Sequence, residues 1–149
     1  MGLRMRDLQS ELLRTPQALR SGSVWRLPEA VKKGASVYKY CIHLGIFQGY
    51  CLYLLTTSRG DKIPAVLRHE CLCIKARSYP FWPRDTWIDC REIRHRRQHV
   101  FRRLVVKDPR SRYCGLLTAK HLAAIRSILA SSRFLPRLER RIVLHCLDR

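Results

Sequence analysis

The chain has 149 residues, 46% of them apolar, which suits one domain with a single core and excludes a disordered tail or two full-sized domains. Lys and Arg number 30 against 11 Asp and Glu, a formal charge of +19. A field of that sign draws polyanions, so nucleic acid or an acidic protein is the expected partner and a membrane surface a weaker one.

The N-terminus, "MGLRMRDLQSELLRT", carries Asp7 and Glu11 and has no apolar h-region, so it reads as neither a secretory signal nor a transit peptide. No apolar run approaches the roughly 20 residues that span a bilayer, and a cytoplasmic location is expected. Met5, Leu8 and Leu12 predict a short helix over 5–14 that ends before Pro16. Residues 16–35 mix Pro, Gly, Ser and Lys and read as an arm with one ordered piece at "VWRL". The expected division is therefore 1–35 as helix and arm, and 36–149 as the domain.

From residue 36 the period becomes two. "SVYKYCIHL" sets Tyr38, Tyr40, Ile42 and Leu44 on one face and Val37, Lys39, Cys41 and His43 on the other, which predicts a half-buried strand. "GIFQG" turns the chain, and "YCLYLLTT", apolar on both faces, predicts a central strand over 50–57. After a turn at Gly60 and Asp61, "IPAVLR" reads as a strand weakened by Pro64. "ECLCIKAR" alternates again, "SYPFWPRD" is a proline-broken aromatic loop, "TWIDCRE" is a further strand, and "HVFRRLVVK" reads as the last one before "DPRSRYCG" breaks the sheet.

Thr118 is the expected N-cap of a helix with Leu122, Ile125, Ile128 and Leu129 along one stripe, and Pro136 starts a second helix. Strands joined by loops this short must pair antiparallel. The expected fold is α+β: a small, strongly bent antiparallel sheet or SH3-like barrel of five to six strands, two C-terminal helices and a short N-terminal helix.

Seven cysteines, an odd number with no C-x-x-C, sit mostly inside apolar strand patterns, which fits free thiols in a reducing compartment. Cys71 and Cys73 match no zinc spacing, so no metal and no cofactor is expected. Acids are scarce among the strands, and there is no H-E-x-x-H, P-loop or G-x-S-x-G.

What remains is phosphate chemistry without a metal, and its best candidate is "LYLLTTSRG", where a core strand ends in three hydroxyls and a guanidinium. Cleavage of RNA then requires the 2′-hydroxyl to attack the adjacent phosphorus, a base to take its proton, and donors to hold the growing charge. Arg59 supplies charge; Thr56, Thr57 and Ser58 supply hydroxyls; His43 and His69 are the nearest bases in chain order. The same residue types also favour turns for purely local reasons. Trp82, read as more exposed than Trp87, is either a stacking surface for bases or a core residue, with Arg84 beside it. Residues 92–113 hold eight Lys and Arg against Glu92 and Asp108, and read either as a solvated Arg-rich hairpin or as a phosphate-binding stretch through Arg94, Arg96, Arg97, Arg102 and Arg103.

A first strand like "GASVYKYCIHL", a core strand ending in "LLTTSR" and a later strand entered through "DTWIDC" resemble the MazF/PemK class of toxins over about residues 34–91. That resemblance implies an SH3-like barrel with accessory helices, metal-independent cleavage of single-stranded RNA, an acidic antitoxin partner, and a homodimer as a compatible assembly. Thr56, Thr57 and Ser58 match the hydroxyl-rich end of the family's core strand by position; Arg59 is assigned on physical grounds alone. The family's catalytic arginine comes from a Gly/basic-Arg-Pro motif in the first β-loop, and "HLGIFQGYC", read as that loop, has none. His43 or Lys39 would have to stand in, or cleavage is absent. The rival reading is a non-catalytic nucleic-acid-binding module, a regulator or mobile-element accessory protein.

Overall fold

The computed structural model describes residues 20–30 and 36–149, so the helix expected over 5–14 lies outside the described residues. Six strands form one antiparallel, curled sheet in the order β4-β5-β3-β2-β1-β6. They are β1 (Ser23–Ala30), β2 (Ser36–Phe47), β3 (Tyr50–Thr57), β4 (Cys71–Ile74), β5 (Thr86–Arg97) and β6 (Arg112–Leu116). Among the described residues three α-helices accompany them: α1 (Gln98–Lys107), α2 (Ala119–Ala130) and α3 (Arg137–Leu147). This is the α+β small-barrel class expected from the alternating patterns.

Each face of the sheet has its own core. On one face Val24, Ile42, Leu44, Leu54 and Ile88 pack against Ile125 and Leu129 of α2 and Val143 and Cys146 of α3. On the other, Trp25, Leu27, Cys41, Cys51 and Tyr53 pack against Phe101 and Val105 of α1. Register shifts at Val24/Trp25, His43/Gly45 and Tyr53/Leu55 interrupt the ladders, and such bulges bend a strand and increase its twist. Gly45 has a second role, because a Cβ there would lie 2.6 Å from the Cys146 Cβ and push α3 off the sheet.

Four segments differ from the pattern reading. Residues 23–30, assigned to an arm, form a strand paired on both edges, with Val24, Trp25 and Leu27 fully buried. Pro28 and Glu29 disguise it; Glu29 is matched by an ion pair from Arg96. Residues 60–62 and 65–70 are 3-10 turns rather than a strand, Pro64 preceding the second. Residues 98–107 are a helix, not a strand, because Phe101 and Val105, four apart, are the fully buried pair and Arg102 and Arg103 stay exposed. Residues 112–116 add an edge strand beside β1 where a break in the sheet was expected. The C-terminal helices are as read: the Thr118 Oγ1 accepts from the His121 N–H at 3.3 Å, and Pro136 precedes α3.

Candidate nucleic-acid groove

The end of β3 is built into the sheet before it can serve as a site. The Thr56 hydroxyl donates to the Tyr40 carbonyl across the β2–β3 ladder at 3.0 Å. Thr57 closes the following turn, its Oγ1 accepting from the Arg59 backbone N–H at 3.0 Å. Gly60 is required next, because the Trp87 indole lies so close that a Cβ would come within 2.1 Å of its Nε1. The indole thus leaves room for nothing larger than glycine at position 60.

Around this turn lies a cavity of about 430 Å³, inside the roughly 300–1,000 Å³ range of ligand pockets. Tyr40, Phe81 and Trp82 give it an aromatic wall: the Tyr40 ring stacks on Phe81 at 6.2 Å and meets the Trp82 edge at 5.9 Å. Thr56, Thr57, Ser58 and Thr86 are the hydroxyl-bearing residues of its lining, and Lys39, Arg59 and Arg84 the basic ones. Aromatic faces beside cations are what an unpaired, phosphate-linked base needs.

Seven of the eight residues singled out at the turn, in "SVYKYCIHL" and in the aromatic loop meet here as lining: Lys39, Thr56, Thr57, Ser58, Arg59, Trp82 and Arg84. Of these, Trp82 is only 2% exposed, whereas Trp87 is half-buried, the reverse of the expected ranking. Trp82 therefore belongs to the core as well as to the wall, and its indole N–H has no acceptor among the described residues. Tyr38, Tyr40, Phe81 and Thr86 were not singled out. The alternation that places Tyr38 and Tyr40 on one strand face was the available signal.

His43 is a correction. It is 2% exposed, lies outside the groove lining, and packs its ring 4.8 Å from Phe101 on the α1 side of the sheet. Burial, with the nearby Arg96 charge adding to it, lowers its pKa to about 3, so it is a neutral core residue and not a groove base. His69 is exposed, lies 3.5 Å from Glu70, and is also absent from the lining.

The basic stretch is the second correction. Thr57 pairs with Trp87 while Arg97 pairs with Tyr50, so the two rows are separated by most of β3, roughly 20 Å at about 3.3 Å per residue. Arg96 is committed to a buried ion pair with Glu29 at 2.9 Å and cannot serve as a surface phosphate contact. Arg94 pairs with Glu92 at 3.6 Å, Arg97 covers the Tyr50 ring, and Arg102 and Arg103 are exposed on α1. None of the five lines the groove.

Arg59 is exposed but not idle. Its Nε and Nη2 each donate to Asp61 at 3.2 Å, an arrangement that holds the Asp61 carboxyl below its usual range and raises the Arg59 guanidinium. The first hairpin loop is also displaced from its expected place. With β1 in the sheet, the first hairpin is β1–β2; residues 31–35, "VKKGA", which link these strands in sequence, lie outside the described residues and contain Lys32 and Lys33 and no arginine. Among the described residues no group of three His, Cys, Asp or Glu could hold a metal ion, and no helix is long and apolar enough to cross a membrane.

No protein-family model matches the sequence, and no curated protein matches it. Among solved structures, a chain of the MazE-MazF complex (Form II) from Deinococcus radiodurans is similar, with a TM-score of 0.51 and 14% identity over 75% of this chain and 92% of that one. At that identity the likeness is one of fold: the chain has a MazF-like small barrel.

Proposed function

We propose that this chain is a toxin-like, metal-independent endoribonuclease of a toxin-antitoxin system, acting on single-stranded RNA held in the groove at the end of β3. The observation that carries the reading is the convergence of Thr57, Ser58, Arg59, Lys39 and Arg84 on one cavity walled by Tyr40, Phe81 and Trp82. The MazF-like fold supports it, as does a charge of +19, which suits both RNA and an acidic antitoxin.

In this mechanism a base lies against the aromatic wall and the adjoining phosphate lies at the Thr57–Arg59 turn. The 2′-oxygen bonds to phosphorus, the bond to the 5′-oxygen breaks, and a cyclic phosphate and a 5′-hydroxyl result. Arg59 and Arg84 hold the charge that builds on the phosphoryl oxygens. Lys39, the groove's ammonium, gives a proton to the departing 5′-oxygen, and the 2′-hydroxyl proton passes to water. Positioning and charge stabilisation then supply most of the acceleration.

A specific observation favours the second reading, a binding module that does not cut. The Thr56 hydroxyl, the Thr57 Oγ1 and the Arg59 guanidinium each already have a local partner, in Tyr40, the Arg59 backbone and Asp61. End-labelled single-stranded RNA incubated in EDTA with the wild type, Thr57→Ala and Thr57→Ser separates the two. Discrete cuts that vanish with alanine and return with serine support the nuclease. Intact RNA at protein concentrations that bind it overturns cleavage and leaves the binding module.

A further inference from the structure

The sheet face that carries the groove holds a second cationic cluster, which the chemistry above does not use. Arg26 on β1 and Arg110, just before β6, both place their guanidinium carbons over the Tyr38 ring, 5.1 and 4.5 Å from its centroid. Arg112 is the register partner of Arg26, so two arginines stand directly opposite each other across the β1–β6 ladder. Like charges in that position repel, and a fold gains nothing from them unless an anion joins them.

No carboxylate bridges the three, although Asp108 lies close enough to Arg110 for the arginine's charge to help lower its pKa. Among the described residues none of the three arginines makes an ion pair within 4 Å. The nearby acid, Asp108, accepts the Tyr38 hydroxyl on Oδ2 and the Arg110 backbone N–H on Oδ1, the latter at 3.0 Å. Those bonds fix the Tyr38 ring and the Arg110 backbone, and leave the guanidinium forks of Arg110 and Arg112 exposed. Arginine forks match the oxygens of a phosphodiester in two parallel bonds. Tyr38 also lines the groove, so the cluster begins where the groove's β2 wall ends.

We propose that Arg26, Arg110 and Arg112 form a phosphate-binding site that receives the backbone of single-stranded RNA beyond the nucleotides held in the groove. The inference rests on the groove reading for the identity of the strand. It adds a direction: the RNA leaves the Thr57–Arg59 turn, crosses Tyr38 and continues toward β1 and β6.

The test is fluorescence anisotropy with labelled oligouridylates of about four and about twelve nucleotides, the short one filling a single small site and the long one reaching past it. Arg110→Gln and Arg112→Gln alter exposed side chains and should stay folded by thermal melting; Arg26→Gln is added to each. The long oligomer should lose about fivefold or more in affinity, and its log–log salt slope should fall by about 0.7 for each phosphate contact removed. The short oligomer should be unchanged within about twofold. Equal losses at both lengths, no loss for the long oligomer, or no binding by the wild type would each overturn the site. Lys39→Ala and Arg84→Ala report on the groove separately, since they should weaken both lengths; if they weaken neither while Arg110→Gln weakens the long one, the groove reading fails and the arginine site stands.

Discussion

Arg96 on β5 and Glu29 on β1 form an ion pair at 2.9 Å with side chains only 14% and 8% exposed. Arg96 also donates to the Pro28 carbonyl and covers the Tyr53 ring, whose hydroxyl donates to the same carboxylate at 2.6 Å. The network joins two strands that are not neighbours in the sheet, because β3 and β2 lie between them. Removing one partner leaves the other charge buried. Arg96→Ala should therefore destabilise the fold by about 3–5 kcal/mol in denaturant titration. Arg96→Met with Glu29→Gln should recover part of the loss. Affinity for a short oligonucleotide, measured on the folded fraction, should fall less than with Arg84→Ala.

That pair also shows what was legible in the sequence and what was not. The period-two pattern at 36–44 gave a strand with the right faces, because Tyr40, Ile42 and Leu44 alternate with Lys39, Cys41 and His43, and the run apolar on both faces at 50–57 gave a central strand. β1 was hidden because its charged and proline positions are compensated from far away in the chain, Glu29 by Arg96. Residues 98–107 misled because Val100, Leu104, Val105 and Val106 suit a strand by composition, while burial follows Phe101 and Val105 at helical spacing. At the site, the hydroxyl turn was readable from its own residues. The aromatic wall and the exclusion of the 94–103 arginines were not, since both depend on which rows of β2, β3 and β5 come into register.

Gly60 and Trp87 should be coupled. A Cβ on Gly60 would sit within 3 Å of three atoms of the indole, so Gly60→Ala must move either the turn or the ring. Overpacking of this kind costs about 1–3 kcal/mol. Trp87→Leu opens the space, and Gly60→Ala made in that background should cost less than in the wild type. A double-mutant cycle in denaturant measures the difference, and additive effects would show that the contact does not constrain the turn.

His43 should make the protein acid-sensitive without shaping any activity profile. Its pKa is lowered to about 3 in the fold, so near pH 5 the unfolded chain binds a proton there that the folded chain does not. Stability from this group is complete above the unfolded value of about 6.5 and falls as pH drops from there toward the folded value, at up to about 1.4 kcal/mol per pH unit. His43→Leu should flatten the stability–pH curve between those limits, read by urea titration at several pH values. If the mutant instead loses an activity limb near neutrality while its stability profile is unchanged, the buried assignment is wrong.

Lys39 and Arg84 approach the groove from β2 and from the loop before β5, so an RNA strand held there should feel both. Each replacement by alanine should weaken binding of a short single-stranded RNA and lower the salt slope by about 0.7, the value for one contact to a single strand. Arg102→Ala with Arg103→Ala removes as many charges from α1, which packs on the opposite face of the sheet. Because exposed charges more than about 10 Å from a ligand are largely screened at 0.1 M salt, that pair should matter much less for the same oligonucleotide. Anisotropy titrations at matched ionic strength decide between them. A larger effect from the α1 pair would move the RNA off the groove and onto the helix, and with it the assignment of Thr57 and Arg59 to the phosphate.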